Sequence, residues 1–504
     1  MPLIGLDIGT TGCKCTLFDF DGNIKSFAYQ EYFVESPGRG QFELNPQKVW
    51  EAVKTVMYQA FHKNGAEPLE EDVSILSISS FGEAGVPVDH SGSILYNSIL
   101  YTDSRGYEQA DFLSERLGAE KIMELTGIPV HCMYSINKLM WMKENLPEVY
   151  RNMWKFLLFE DFIIYRLTGL PVIDYSLASR TMAFNLLEKE WDSGILEAVG
   201  ISEGLFSEAR PSGTIVGKIK KDIAQELDIS PDTLVSTGGH DQACAALGAG
   251  ILSEGSAVYG MGTAECITAA FRQPVLDQGM LKNHFNCEPH TLEGMYLTLS
   301  FTFSGGSLVK WYRDCFAAAE IAEARAKSIS VYELLDMKAA KEPTSILVLP
   351  HFSGSGTPYM DPFSKGAITG LTLDTGASQL YRAILEGVTY EMRYNLECLK
   401  GSGIEAHCLR AVGGGARSEL WLQIKADIMG RKIETLDIGE AGTLGAAILA
   451  GVASGVYPSI NKAVDKLVKT KKVYYPNEKT RGIYDENYAN YKRLYQASKA
   501  IYKV

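Results

Sequence analysis

A segment near the start of the chain returns half a chain later, and that recurrence limits the folds open to it more than any other feature. The first copy is GLDIGTTGCKCTLFD, Gly5 to Asp19, and the second is AVYGMGTAECITAAF, Ala257 to Phe271. Setting Gly9-Thr10 on Gly262-Thr263 puts strand-like residues before and after both turns, at an offset of 253 in a chain of 504. Two short hairpins can match by chance. This match gains weight because it divides the chain into two equal, domain-sized pieces. We expect two related units, residues 1–246 and 247–504, since the chain is too long for one ordinary core.

Strand-like and helical runs alternate around the first copy. LIGLDIG from Leu3 and CKCTLFD from Cys13 read as two strands joined by the turn GTTG, with Asp21-Gly22 as a second hairpin turn. NPQKVWEAVKTVMYQAF from Asn45 places Val49, Val53, Val56, Met57 and Ala60 at helical spacing. VSILSISSFGEAG from Val73 reads as strand, then loop. Hairpins mixed with βα units predict an α/β fold with a mixed sheet. The run from Tyr474 is rich in tyrosine at helical spacing, which predicts a helix docked on its own domain.

Charge narrows the function classes. With 48 basic and 61 acidic residues the net charge is −13, which argues against a nucleic-acid partner. It does not exclude ATP, which backbone N–H groups and a few local cations can hold. The start, MPLIGLDIGTTG, lacks a signal-peptide pattern, and apolar stretches such as LGAAILAGVASGVY from Leu444 are too short to span a membrane. No membrane association is expected. The nine cysteines include no CxxC pair, so reduced thiols in the cytoplasm are expected. Cys13 and Cys15 share one strand face and read as core packing.

Motifs for the commonest nucleotide-binding folds are absent: there is no GxxxxGK[ST], no kinase HRD or DFG set, no HExxH. A different phosphate-handling set remains. In Asp7-Ile8-Gly9-Thr10-Thr11-Gly12-Cys13-Lys14 the glycines allow a tight turn whose N–H groups converge on an anion. Thr10 and Thr11 add hydroxyls, Lys14 adds a charge, and Asp7 can hold Mg2+ through water. The other reading is an ordinary hairpin with a solvated aspartate. Gly260-Met261-Gly262-Thr263 echoes this set. AVGGGARSELWLQIKADIMG from Ala411 puts three glycines before a helix with Ser418 as N-cap and Leu420, Ile424 and Ile428 on one face. Such a run admits a ligand close to the backbone, or a helix packed tightly on a strand. Asp241, in Gly238-Gly239-His240-Asp241-Gln242, is placed to face a cleft or to cap the helix that follows. His240 reads as structural, since no second ligand stands at metal-binding spacing.

Together these segments resemble the FGGY carbohydrate kinases, a branch of the sugar kinase, actin and heat-shock chaperone superfamily, over essentially the whole chain. MYSINKLMW, Met133 to Trp141, is similar to that family's first signature, and GAITGLTLDTGASQLYRAILE, Gly366 to Glu386, to its second. The resemblance implies two ribonuclease-H-like (actin-like ATPase) domains with ATP and a small sugar or polyol in the cleft between them. The first, 1–246, would be the sugar side and the second, 247–504, the adenosine side. It implies that Asp241 is the general base, that Thr10, Thr11, Gly12, Lys14 and Thr263 meet the phosphates, and that Asp7 positions Mg2+. Gly306, Gly413, Gly414 and Gly415 would lie along the adenosine, near Lys310 and Glu419.

The sugar is harder to read. ILYTDSR at 99–105 and PHFSGSGTPYMDP at 350–362 resemble xylulose kinases, whose substrate loop usually reads Gln-Met-His-Gly where this chain has Phe81-Gly82-Glu83-Ala84-Gly85. DYSLASRTMAFN at 174–185 resembles glycerol kinases, which normally place an arginine where Gly82 stands. Losing that fork leaves space at Gly82, so a ketopentose such as D-xylulose is expected, with glycerol or a longer polyol as the alternative. Gly82, Glu83, Asp103, Arg105, Met133, Asp241 and Gln242 are the candidate sugar contacts, although Arg105 can equally brace its loop. A non-metabolic ATP-binding switch, as in the actin-like relatives, would use the same hairpins but needs no base such as Asp241. A homodimer stays open.

Overall fold

The structure, a computed structural model, describes residues 2–62 and 74–502. In the first half β1 (Leu3–Ile8), β2 (Gly12–Phe18) and β3 (Ile24–Glu31) form an antiparallel meander. β4 (Ile75–Ser80) joins β1 in parallel, and Val73 of the expected strand lies outside the described residues. β5 (Ile215–Lys218) and β6 (Leu234–His240) complete a six-stranded sheet of order β5-β6-β4-β1-β2-β3. There β6 runs parallel to β4, and β5 closes the edge antiparallel.

The second half repeats the plan. β7 (Gly255–Met261) and β8 (Glu265–Phe271) form the second Gly-Thr hairpin. With β9 (Glu288–Pro289), β10 (Tyr296–Thr302), β11 (Ala406–Val412), β12 (Lys432–Leu436) and β13 (Thr470–Tyr474) they make a sheet of order β9-β10-β8-β7-β11-β12-β13. Counting outward from β1 and from β7, each sheet has two antiparallel strands on one side. On the other side each has two parallel strands and an antiparallel edge. Only β9 is extra. The duplication implied by two short hairpins therefore extends through both sheets.

Local chemistry explains the elements. β1 is buried along nearly its whole length and reads as an apolar run broken only by Asp7 near its end, as suits a central strand. α1 (Pro46–Phe61) starts where Asn45 accepts from the Gln47 and Lys48 amides, and its five expected core residues are all buried. Later helices of the first half are α2 (Ser135–Asn145), α3 (Phe159–Thr168), α4 (Tyr175–Ser179) and α5 (Asp241–Gly248). Those of the second half used below are α6 (Gly306–Phe316), α7 (Ala377–Gly401), α8 (Glu419–Met429), α9 (Ala441–Ala453) and α10 (Glu478–Ile501). Cys13 and Cys15 lie fully in the core, as their shared strand face implies. Among the described residues no helix is long and apolar enough to cross a membrane.

Two helices link the sheets. α5 follows β6 and lies between them, with Ala243 and Ala246 against Val258, Ala270 and Leu297 of the second sheet and Cys244 and Leu247 against Leu3 and Ile75 of the first. α9 follows β12 but sets Leu444, Ala447 and Ile448 against Leu3 and Ile75 of the first. Their crossing is possible because glycine stands at each contact. A Cβ on Gly248 would lie 1.9 Å from the Ala441 carbonyl oxygen, and one on Gly445 1.9 Å from that of Cys244. Gly5 of β1 meets the Thr443 oxygen at the same distance. A division between residues 246 and 247 thus falls inside α5, and by packing α9 belongs with the first sheet.

Candidate active site

The first Gly-Thr turn closes when the Gly9 amide donates to the Gly12 carbonyl at 2.9 Å, leaving Thr11 exposed and Thr10 half-buried. A Cβ on Gly12 would sit 2.8 Å from the Gln30 oxygen, so only glycine fits there. Asp7 ends β1 beside the turn. Ser79 of β4 donates to its Oδ1 at 2.7 Å, and Lys14 Nζ stands 4.0 Å from Oδ2. Burial pushes the Asp7 carboxyl up to about 6, against the pull of Lys14 and Ser79 and with a push from Asp241 and Glu440. Lys14 itself donates to Glu440 Oε2 at 2.8 Å, a bond from β2 to the residue that caps α9. Gly442 of α9 completes the cradle: a Cβ there would lie 3.4 Å from Asp7 Oδ1.

The second turn is organised differently. Its carbonyls accept the amides of the following helix, Gly306 onto Gly262 at 2.9 Å and Ser307 onto Thr263 at 3.1 Å, while the Thr263 side chain stays exposed. Gly413, at φ 90°, and Gly415 pack on Met261 just before that turn. Ser418 caps α8 by accepting from the Trp421 amide, as its position predicts. Ile424 and Ile428 are buried, but Leu420 is only partly so. Lys310 is exposed, and Glu419 binds Lys472 at 2.7 Å. Beneath the turn Lys425 is caged by Glu265, Tyr259 and Trp421, and burial lowers its pKa to about 8.

Asp241 is the first residue of α5. His240 holds the N-cap position, and the Asp241 carboxylate makes no capping bond, which removes the capping alternative. Three contacts fix the backbone leading to it. Glu160 of α3 accepts from the Gly238 amide at 2.6 Å, Ser176 of α4 accepts from His240 N at 2.8 Å, and β6 shifts register between Ser236 and Gly239. The carboxylate of Asp241 is about a third exposed and lies 3.3 Å from His240 Nε2. Gln242 follows it, half-buried, with its Oε1 3.5 Å from Thr268 Oγ1.

Glu83 is buried and held at φ 67°, a left-handed backbone that glutamate rarely adopts. Ser135, in the first signature, donates to its carbonyl at 2.5 Å. The expectation of free space at Gly82 is wrong. Arg180, from the segment after α4, lies over Gly82 with Cγ 2.9 Å from where a Cβ would be. Its Nε donates to Glu83 Oε1 at 2.7 Å, its Nη2 donates to the same oxygen, and its Nη1 donates to Glu288 Oε2 at 2.8 Å. A guanidinium thus faces Glu83 after all, supplied from elsewhere in the chain. Tyr101, also absent from the sequence reading, packs half-buried against the first-half core, and burial raises the pKa of its phenol.

Asp103 and Arg105 do not offer free polar groups to this cleft. Arg105 clasps Asp103 through Nε at 2.9 Å and Nη2 at 2.6 Å, and its Nη1 donates to Glu43 at 2.8 Å. Lys138 donates to the Asp103 and Arg105 carbonyls, and Trp141 lies under the guanidinium. The bracing alternative therefore describes Arg105. Met133 instead lines a cavity between the halves with Tyr134, Arg180, Asn286 and Phe301.

Comparisons with known proteins agree along the chain. The model of the FGGY family of carbohydrate kinases, N-terminal domain, matches residues 2–248, and that of the C-terminal domain matches residues 257–454. A xylulose kinase of Staphylococcus epidermidis is 28% identical over 99% of this chain and 97% of its own length. A glycerol kinase of Thermococcus gammatolerans is 31% identical over 95% and 94%. The crystal structure of ligand-bound xylulose kinase from Lactobacillus acidophilus superposes with a TM-score of 0.90 at 25% identity, covering 99% of both chains. Matched by both domain models over most of its length, the chain belongs to the FGGY family of carbohydrate kinases.

Proposed function

We propose that this kinase transfers the terminal phosphoryl group of ATP to a hydroxyl of a ketopentose such as D-xylulose. One observation carries the reading: Glu83 of the sugar loop and Asp241 are joined through a single run of contacts, Arg180 bridging Glu83 and Glu288, and His240 lying between Glu288 and Asp241. Sugar end and base are thereby held in one network. The xylulose kinase likeness over nearly the full chain supports the ketose.

In this reading Asp241 orients the sugar hydroxyl and takes its proton as the new O–P bond forms and the bond to the ADP oxygen breaks. The transition state is loose, so alignment counts for more than base strength. Thr10, Thr11, Gly12, Lys14 and Thr263 hold the phosphates from both halves. Gly306 and Gly413 to Gly415 border the adenosine, with Lys310 and Glu419 at its edge. Asp7 would hold Mg2+ through water, and the ion would supply charge neutralisation on the phosphate oxygens. The cradle fits such an ion, with one carboxylate and a glycine opposite; among the described residues no cluster of three or more His, Cys, Asp or Glu could cage it directly. Gly82, Glu83, Met133 and Gln242 border the sugar, on the side of residues 1–246, with 247–504 supplying the adenosine side. A cytoplasmic site of action, where ATP is at hand, goes with this reading.

The Arg180–Glu83 pair favours a second reading, glycerol or a longer polyol, because it restores the arginine–glutamate pairing expected of glycerol kinases. ADP release with Mg-ATP across ketoses, aldoses and polyols separates the two. We expect a ketopentose to give the highest kcat/KM and Asp241→Ala to lower it by roughly 100-fold or more. If glycerol outperforms every ketose, the polyol reading replaces ours. If no sugar raises turnover above the Asp241→Ala level, the catalytic assignment fails.

A further inference from the structure

Five charged side chains of alternating sign form one chain between the sugar loop and the base. Glu83 accepts from Arg180, and Arg180 Nη1 donates to Glu288. Glu288 Oε1 lies 2.9 Å from His240 Nδ1, and His240 Nε2 lies 3.3 Å from Asp241 Oδ1. All but Asp241 are nearly or fully buried. Both ring nitrogens of His240 therefore face carboxylate oxygens. The contact to Glu288 is a hydrogen bond and that to Asp241 an ion-pair approach, and two carboxylates against one ring favour the imidazolium.

The charges facing His240 come from three elements: Glu288 on β9, Asp241 on α5, and Arg180 after α4. Burial by itself would lower the His240 pKa, but the two carboxylates outweigh it and Arg180, and the pKa is raised. Glu288 shows the converse. Burial pushes it up, His240 and Arg180 pull harder, and its pKa is lowered. It also accepts from Asn286 Nδ2 at 2.8 Å, so both its oxygens are spent on donors. Cys266 on β8, which senses Asp241, Glu288 and Arg180, is pushed up to about 12 by burial and stays neutral.

Glu288 is the one member of this chain from the second half. We propose that Glu288 is a positioning residue for phosphoryl transfer, a latch that locks Arg180 onto the sugar-side Glu83 and holds protonated His240 against Asp241. The sugar loop and the base then take their working geometry only with β9 in place. What Glu83 and Asp241 do rests on the kinase reading above; the latch rests on the geometry alone. Without the Glu288 charge, Arg180 and His240 are left as neighbouring buried cations, and the histidine sheds its proton. Because the folded pKa of His240 is raised, its contribution is complete below the unfolded value and fades as pH rises through the folded one. Sugar turnover should therefore fall on the alkaline side as His240 deprotonates.

The test pairs NMR titration of the His240 ring in the intact protein with steady-state kinetics of the wild type and Glu288→Gln, using His240→Gln to assign the signal. We expect the His240 midpoint to lie above the usual 6.5 and to drop by about one unit or more in Glu288→Gln. We expect sugar kcat/KM to fall roughly 10- to 100-fold, and its alkaline limb to move to lower pH with the midpoint. KM for ATP should hold. An unchanged His240 titration overturns the latch. So does a loss shared equally by sugar and ATP in step with the melting temperature, because that pattern is structural damage. If Glu288→Gln does not fold, Glu288→Asp, which keeps the charge but draws it back from His240, must move the midpoint in the same direction or the latch fails. A wild type that phosphorylates no sugar sinks the kinase reading and leaves the titration to judge the latch.

Discussion

At the scale of single residues, the groups legible in the sequence are those whose chemistry and neighbours advertise them. Asp7, Thr10 and Thr11 sit in a glycine-framed turn, and Asp241 begins a helix of small residues. Arg180 and Glu288 have no such local mark. Arg180 acts on Glu83 from 97 positions away and on Glu288 from 108. The glycine at position 82 was readable, but what fills the space over it was not. Asp7 lends itself to a direct test. Its raised pKa means that the charged form is held at a cost in the free protein, one that grows as pH rises past the unfolded value. We expect Asp7→Asn to stabilise the protein at neutral pH by about 1 kcal/mol, read from urea denaturation, while lowering sugar phosphorylation by roughly 100-fold or more. A variant less stable than the wild type would show that Lys14 and Ser79 matter more than burial.

Among the elements, hairpins and amphipathic helices were readable because their patterns are local, and α1 and the α8 cap appear where the residues demand. The tyrosine-rich end also docks as expected. Tyr484, Tyr488 and Tyr491 of α10 donate to Glu386, Glu397 and Glu391 of α7. Glu386 also binds Arg382, so the second signature ties down the terminal helix. The first signature is likewise a brace, with Ser135 on the Glu83 carbonyl and Lys138 on the Asp103 turn. What no local pattern reveals is that α9 packs on the first half's sheet and α5 lies between the two, since small residues signal close packing without naming the partner. Gly445 makes this testable. Adding one methyl would force α5 and α9 apart, and both border the candidate site. Gly445→Ala should cost roughly 2–3 kcal/mol in urea unfolding and should depress sugar turnover in the fraction still folded. A variant of wild-type stability would show that the two helices can slide.

On the scale of the whole molecule, the repeated strand plan sets a Gly-Thr turn in each half, with Arg180–Glu288 reaching across from half to half. Bonds of that kind favour closure when both substrates bind. We expect sugar together with a non-hydrolysable ATP analogue to reduce the radius of gyration in small-angle scattering, and an unchanged radius would argue for a site that is already closed. The placement of α9 on the first sheet also sets an order on biosynthesis. The first sheet leaves the ribosome about 200 residues before α9 exists, an interval of roughly 10–40 s at typical elongation rates. Throughout it Leu3 and Ile75 have the cover of Cys244 and Leu247 but lack that of Leu444, Ala447 and Ile448. The apolar face of the first half is thus completed only when the last quarter of the chain is made.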